Sequence, residues 1–209
     1  VHGNLILNRN DDTSLRKLKM PKIFTSDIHH EHKKIVEFTN RKLDTTQENH
    51  TEWLRSLWNS EVTNSDLVFH LGDFSFSTDY NQIAEFVESL NGQKIFVKGN
   101  HCSDKFLTRL VKDKLIAKWC HYDSTKIDGV HVAMFHYPIA AWDRQHYGSW
   151  HLHGHSHGGY QPDKGKILDV GLDNAYNVFG RHKFFKESEI AEYMKTREKQ
   201  INDYHKERE

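Results

Sequence analysis

The fold class predicted by this sequence is an α/β domain built around a parallel sheet, on three observations. Apolar runs of strand length, Lys22-Ile23-Phe24-Thr25-Ser26, Asp66-Leu67-Val68-Phe69-His70-Leu71 and Lys94-Ile95-Phe96-Val97, alternate with segments of helical period. That alternation is expected of strands joined in parallel by crossover helices. Each run stops at a short cluster of Asp, Asn, His or Gly, at the carboxyl end where open α/β sheets place their ligands. The length, 209 residues, supports one sizeable core and makes a second independent domain unexpected.

Composition narrows the function classes. Lys and Arg total 29 and Asp and Glu total 29, so the formal net charge is zero, and the sequence pI is about 7.4. No global basic field exists to hold a nucleic-acid backbone, so nucleic acid is not indicated as a partner by charge and would need a local patch. No apolar run approaches membrane-spanning length and none reads as a secretory h-region, so no membrane partner is expected. The two cysteines, Cys102 and Cys120, are too few for a disulfide-stapled fold, and the expected compartment is the reducing cytoplasm. Mean hydropathy is -0.79. Histidine is abundant at 17 residues, and whether that is surface composition or chemistry depends on position.

Residues 1–19 carry one short apolar run, Leu5-Ile6-Leu7, and no clear period. Met20 directly precedes the first strand, so 1–19 read as a peripheral N-terminal extension or arm, with a catalytic domain over 20–185 and a charged helix over 186–209. The first strand ends at Asp27-Ile28-His29, and side chains two apart on an extended segment face the same way. Lys34 to Phe38 suits a short helix and Thr45 to Ser60 a longer one, with Trp53, Leu54, Leu57 and Trp58 at core spacing. The second strand breaks at Gly72-Asp73; glycine lets backbone approach a ligand, and the adjacent carboxylate is placed to bridge two cations. Asn81 to Leu90 is amphipathic, ended by Asn91-Gly92. The third strand ends at Lys98-Gly99-Asn100-His101, and Asp104 to Lys112 is helical. Trp119 to Lys126 reads as one edge strand, with Asp128-Gly129 a turn. Val130 to Phe135 is a strand ending at His136, where Pro138 forces Tyr137 out of helical space. Residues 140–149 form a loop, followed by Leu152-His153-Gly154-His155-Ser156-His157 and a last strand over Lys166 to Gly171. The tail from Lys186 is expected to be a solvated helix with few apolar anchors, Ile190, Ala191, Met194 and Ile201.

Five strand ends thus deliver Asp27, His29, Asp73, Asn100, His101, His136, His155 and His157. A single histidine at a strand end is more often structural than a ligand, but five mixed clusters are hard to explain as core accidents. Oxygen and imidazole donors without thiolate suit Mn, Fe, Zn, Co or Ni. The donors exceed what one ion takes and suffice for two that share a carboxylate. Two ions about 3.5–4 Å apart can hold a bridging hydroxide and clamp a phosphoryl group for in-line attack.

The series Asp27-x-His29, Gly72-Asp73, Gly99-Asn100-His101, His136 and Gly154-His155-x-His157 resembles the calcineurin-like metallophosphoesterase superfamily, in its compact single-domain form. The likeness covers residues 22 to about 175 in the family's order. It implies an α/β, four-layer α+β sandwich of two facing mixed β-sheets flanked by helices, with the metal site at the carboxyl ends of strands. It implies two divalent ions, Mn foremost and Fe, Zn, Ni or Co as alternatives. Asp27, His29, Asp73 and His157 would hold one, and Asp73, Asn100, His136 and His155 the other, with Asp73 bridging. His101 would be the general acid, or would stabilise charge on the phosphoryl group. The implied activity is hydrolysis of phosphate esters by a bridging hydroxide, with a small phosphate ester or nucleotide as substrate. No arginine cluster suits a dianionic monoester, which favours phosphodiesters. A phosphomonoesterase or a nuclease is the alternative on the same centre; Lys98, Lys105, Arg109, Lys112 and Lys114 could form a modest basic track for the latter. A non-catalytic scaffold is the reading from a different class, but silencing removes ligands and none is missing. No oligomeric state is indicated.

The sequence departs from the family pattern at three places. Cys102 follows Gly-Asn-His where an acidic residue is frequent, and Phe74-Ser75-Phe76-Ser77 lacks the carboxylate that would orient the acid histidine, leaving Asp104 as a substitute partner. Glu31 stands where glycine is common. His30, His32, His70 and His153 read as hydrogen-bond partners or loop residues, and Arg144 as a weak candidate for a phosphate contact.

Overall fold

The computed structural model describes residues 20–202; the extension over 1–19 and the last residues of the tail lie outside the described residues. Four parallel strands, β1 (Lys22–Thr25), β2 (Leu67–His70), β3 (Gln93–Val97) and β4 (Lys118–Cys120), form the first sheet, in the order β4-β3-β2-β1. A short antiparallel strand joins it beside β1. The second sheet has β5 (Tyr122–Ile127) antiparallel to β6 (Val130–Phe135), followed by β7 (Trp150–His153) and β8 (Ile167–Asp169) in parallel. The antiparallel addition to the first sheet is β9 (Phe185–Lys186). Both sheets are therefore mixed, as expected.

Strand alternation sorts the core into layers. Ile23, Val68 and Phe96 face the helices α2 (His50–Glu61), α3 (Tyr80–Glu88) and α4 (Asp104–Lys112), meeting Leu54, Trp58, Ile83, Phe86, Leu107 and Leu110. Their neighbours Phe24, Phe69 and Val97 face the other way, onto Val132, Met134, Leu152 and Leu168 of the second sheet. Two-sided burial explains why the strands read as continuous apolar runs. Trp58 is 1% exposed, packs edge-to-face on Phe184 at 5.1 Å between ring centroids, and donates its indole N–H to the Asn91 carbonyl at 3.0 Å. Trp58→Ala is expected to cost about 3–5 kcal/mol of stability, read as a lowered urea midpoint.

Several elements differ from expectation. The single edge strand over Trp119 to Lys126 is two strands, β4 and β5, with the chain passing from one sheet to the other at His121. A run that edges two sheets reads as one strand because both halves are extended and half-exposed. The Asp128-Gly129 turn then closes the β5–β6 hairpin with both residues at positive φ, 48° and 83°, the twist that two-residue hairpins favour. Helix α2 begins at His50, later than expected, and a short α1 (Ile35–Phe38) is followed by a one-turn 3₁₀ helix, Asn40–Leu43. Helix α5 (Leu172–Phe179) and β9 have no counterpart in the sequence reading. The tail helix α6 (Glu187–Lys195) is not solvated on all sides: Ile190, Ala191 and Met194 are buried in the same layer as Phe24 and Leu168. Three anchors on one face suffice to dock a helix whose other face is charged.

Candidate metal centre

The loops after β1, β2, β3, β6 and β7 converge, and the eight residues named from the sequence stand on them. The loops after β1 and β2 run side by side, with Asp27 N–H donating to the Gly72 carbonyl (2.9 Å), His29 N–H to Asp73 O (3.1 Å) and His30 N–H to Phe74 O (2.8 Å). Five of the residues have left-handed backbone: Asp27 (φ 55°), His29 (54°), Asp73 (54°), His155 (68°) and His157 (49°). Such φ values are uncommon outside glycine and concentrate where a site over-determines the backbone. Asp27 and His29 therefore converge through a curled loop and not through the strand alternation that the sequence suggested. Gly99 allows the two loops to close: a Cβ there would land on the Asp73 carboxylate.

Two donor clusters result. In the first, ligand atoms of Asp27, His29 and His157 lie within 4.8 Å of one another; His29 Nε2 is 3.1 Å from His157 Nε2 and 3.8 Å from Asp27 Oδ1. In the second, Asp73, His136 and His155 meet the same limit. Asn100 Oδ1 joins them, 3.0 Å from both His136 Nε2 and His155 Nδ1. Neighbouring groups set the tautomers. His157 Nδ1 donates to Asp173 (2.7 Å) and His136 Nδ1 to the Leu71 carbonyl (2.8 Å), which turns each Nε2 toward its cluster.

The electrostatics fit cations. Burial, reinforced by the charge of Asp169, pushes the Asp27 carboxyl up to about 7, and Asp27 Oδ1 has no hydrogen-bond partner. Burial pushes His29 down to about 2. For Asp73, burial is outweighed by the hydrogen bond and charge of His136 and by the His101 N–H, which together hold the carboxyl down at about 2. An orphaned carboxylate oxygen beside two converging imidazole nitrogens is a donor set that a divalent ion satisfies. The residues present thus fit a metal.

His101 stands beside the second cluster without belonging to it. Its N–H donates to Asp73 Oδ1 (2.9 Å), its ring Nε2 is 3.9 Å from Asp73 Oδ2, and its side chain is 44% exposed. Its ring lies against Phe76 at 4.2 Å between centroids, and His32 stacks on the far face of the same ring at 4.1 Å. Phe76 thus packs the His101 ring in place beside the Asp73 carboxylate. Asp104 does not serve; it pairs with Lys98 at 2.5 Å.

The remaining expectations fall differently. His70 is fully buried among Trp58, Phe74 and Phe96, a core residue and not a loop or hydrogen-bonded one. His30 bonds Ser75 and His153 bonds the Gly154 carbonyl. Arg144 lines a hollow with Lys126, Gly129 and Val130, at the opposite end of β6 from the clusters. Glu31 accepts from Thr51 at 2.8 Å.

Three residues were missed. Asp169 accepts from Ser156 Oγ (2.6 Å), Gly158 N–H (2.9 Å) and Gly171 N–H (2.7 Å), and so shapes the turn that carries His155 and His157. Asp173 holds His157, and Arg41 holds Asp173. The run Asp169-Val-Gly-Leu-Asp173 after the last strand was the available signal; Arg41 had none.

No protein-family model matches the sequence. It is 28% identical over 164 residues to the uncharacterized protein MJ1445 of Methanocaldococcus jannaschii, covering 75% of this chain and 84% of that one. A weaker structural likeness, with TM-score 0.47 and 18% identity over 80% of this chain and 98% of the other, links it to a novel archaeal phosphodiesterase. Superposition on a protein of unknown function from Aquifex aeolicus, AQ665, gives a TM-score of 0.60 at 20% identity, over 83% of this chain and 99% of that one. The two-sheet α/β fold is accordingly one that this chain has in common with the Aquifex aeolicus protein.

Proposed function

We propose that this chain is a calcineurin-like metallophosphoesterase that hydrolyses phosphate esters, foremost phosphodiesters, at a pair of divalent ions. The supporting observation is the pairing of two donor clusters, Asp27/His29/His157 and Asp73/His136/His155, at the meeting of the two sheets. Asp27, His29 and His157 would hold one ion, and Asn100, His136 and His155 the other, with Asp73 shared. Such a pair of divalent ions, Mn by preference, would supply a Lewis-acid clamp on the phosphoryl oxygens and a water-derived nucleophile at neutral pH. His101, exposed at the mouth and held by Phe76 and the Asp73 carboxylate, gives its proton to the departing alkoxide. Asn100 contributes a neutral oxygen, so the donor set does not over-neutralise the ions.

A small phosphate ester or nucleotide suits the site better than a nucleic acid. Of the basic residues after β3, Lys98 pairs with Asp104, and Arg109 pairs with Asp113 while lying over the Tyr80 ring. No helix of the described residues is long and apolar enough to cross a membrane, and Cys102 and Cys120 are free cysteines.

The test is turnover of bis-p-nitrophenyl phosphate and p-nitrophenyl phosphate by protein stripped with EDTA and resupplied with Mn2+. Expected are loss of activity on stripping, recovery with Mn2+, and faster turnover of the diester. Absence of metal-dependent turnover with both esters contradicts the proposal.

A further inference from the structure

Arg41 is an arginine with no exposed surface, on the 3₁₀ helix after α1. Its guanidinium grips Asp173 in both directions, Nε to Oδ1 and Nη2 to Oδ2 at 2.8 Å each. The remaining donors reach the first metal-binding loop: Nη1 donates to the Ile28 carbonyl (2.7 Å) and Nη2 to the Asp27 carbonyl (2.5 Å). Asp173 Oδ2 in turn accepts from His157 Nδ1 at 2.7 Å. One side chain therefore fastens the strained backbone between Asp27 and His29 and, through one carboxylate, the ring of His157. Those are all three residues of the first cluster.

The second cluster has side-chain supports of its own, and two backbone N–H groups tie it to the first, His155 N–H to Asp27 Oδ2 (2.8 Å) and His29 N–H to Asp73 O (3.1 Å). His136 leans on the Leu71 carbonyl, Asp73 on the His101 N–H, and Asn100 spans His136 and His155. Neither Arg41 nor Asp173 makes any of these contacts.

We infer that Arg41 and Asp173 are positioning residues for the first metal position, so that their loss weakens one ion of the pair far more than the other. The inference rests on the two-metal reading above. Without Asp173, the His157 ring loses the acceptor that fixes its tautomer and orientation. Without Arg41, the carbonyls of Asp27 and Ile28 lose the donors that hold a left-handed turn in place. Lysine cannot substitute, because a point charge with three donors does not span a bidentate carboxylate and two carbonyls.

The experiment is titration of EDTA-stripped protein with Mn2+ in a calorimeter, with metal content checked by elemental analysis, for wild type, Asp173→Asn and the double variant Arg41→Met/Asp173→Asn. Asp173→Asn alone strands a buried guanidinium and can unfold the chain. The double variant removes both charges at similar volume, which buried ion pairs often tolerate. Expected is two-site binding in wild type, and in the double variant one site weakened about 10–100-fold, the usual effect of losing a ligand's outer partner, with the other changed by much less. A merely structural role would lower the thermal midpoint and weaken both sites together, and that result overturns the inference, as do two unchanged sites. Wild-type protein that binds fewer than two ions overturns the two-metal reading and this inference with it, which separates the two failures.

Discussion

Asp73→Asn is expected to abolish metal-dependent turnover and to leave fewer than two ions per chain. The substitution keeps the shape of the side chain, and asparagine tolerates the left-handed backbone at this position (φ 54°), so the fold should survive. What changes is charge. Asp73 Oδ1 receives the His101 N–H at 2.9 Å, and Oδ2 lies 3.5 Å from His136 Nε2. It is held well into the anionic range by His136 and His101. Two cations a few ångströms apart repel strongly unless an anion lies between them, and a neutral amide does not replace that anion. The loss of kcat on the chromogenic diester should exceed about 10³-fold, the upper end for removing one electrostatic stabiliser of the transition state. Circular dichroism should remain that of the wild type. Turnover near the wild-type rate with two ions bound would remove Asp73 from the shared position.

His101→Asn should separate proton donation from metal binding. The His101 ring is outside both donor clusters, so metal content should not change. General-acid catalysis contributes about 10²–10⁴-fold, and that is the expected fall in kcat for a diester with an alkyl leaving group. An alkoxide needs the proton, whereas p-nitrophenolate departs without it. The fall should accordingly be much smaller for bis-p-nitrophenyl phosphate. An equal loss with both leaving groups would assign His101 to stabilising the phosphoryl charge instead. Phe76 is part of the same argument, because its ring holds the imidazole on one face and His32 on the other.

The chemistry of the centre was legible because its residues belong to short local patterns. Gly72-Asp73, Gly99-Asn100-His101 and Gly154-His155-x-His157 each follow an apolar run and each carry their own chemical meaning. The strand ends were found for the same reason, since burial on both faces leaves a continuous apolar segment that stops abruptly. Elements with weaker local signals were misjudged. Helix α5 follows β8 after only Val170 and Gly171, so its first residues read as the end of the strand, and β4 and β5 are two short edges in one extended run. In α6, three buried anchors were outnumbered by charges on the exposed face.

The sequence by itself determined which strands end in donors and which residue types those donors are. Only the tertiary structure decided how they converge. Asp27 and His29 meet through left-handed turns that no alternation rule anticipates, and Phe76 packs against the His101 ring beside the Asp73 carboxylate. Arg41 and Asp173 are 132 positions apart. Neither has a partner within reach of a helical or strand period, so their pairing arises from the packing of distant segments into one core and leaves no mark on local sequence.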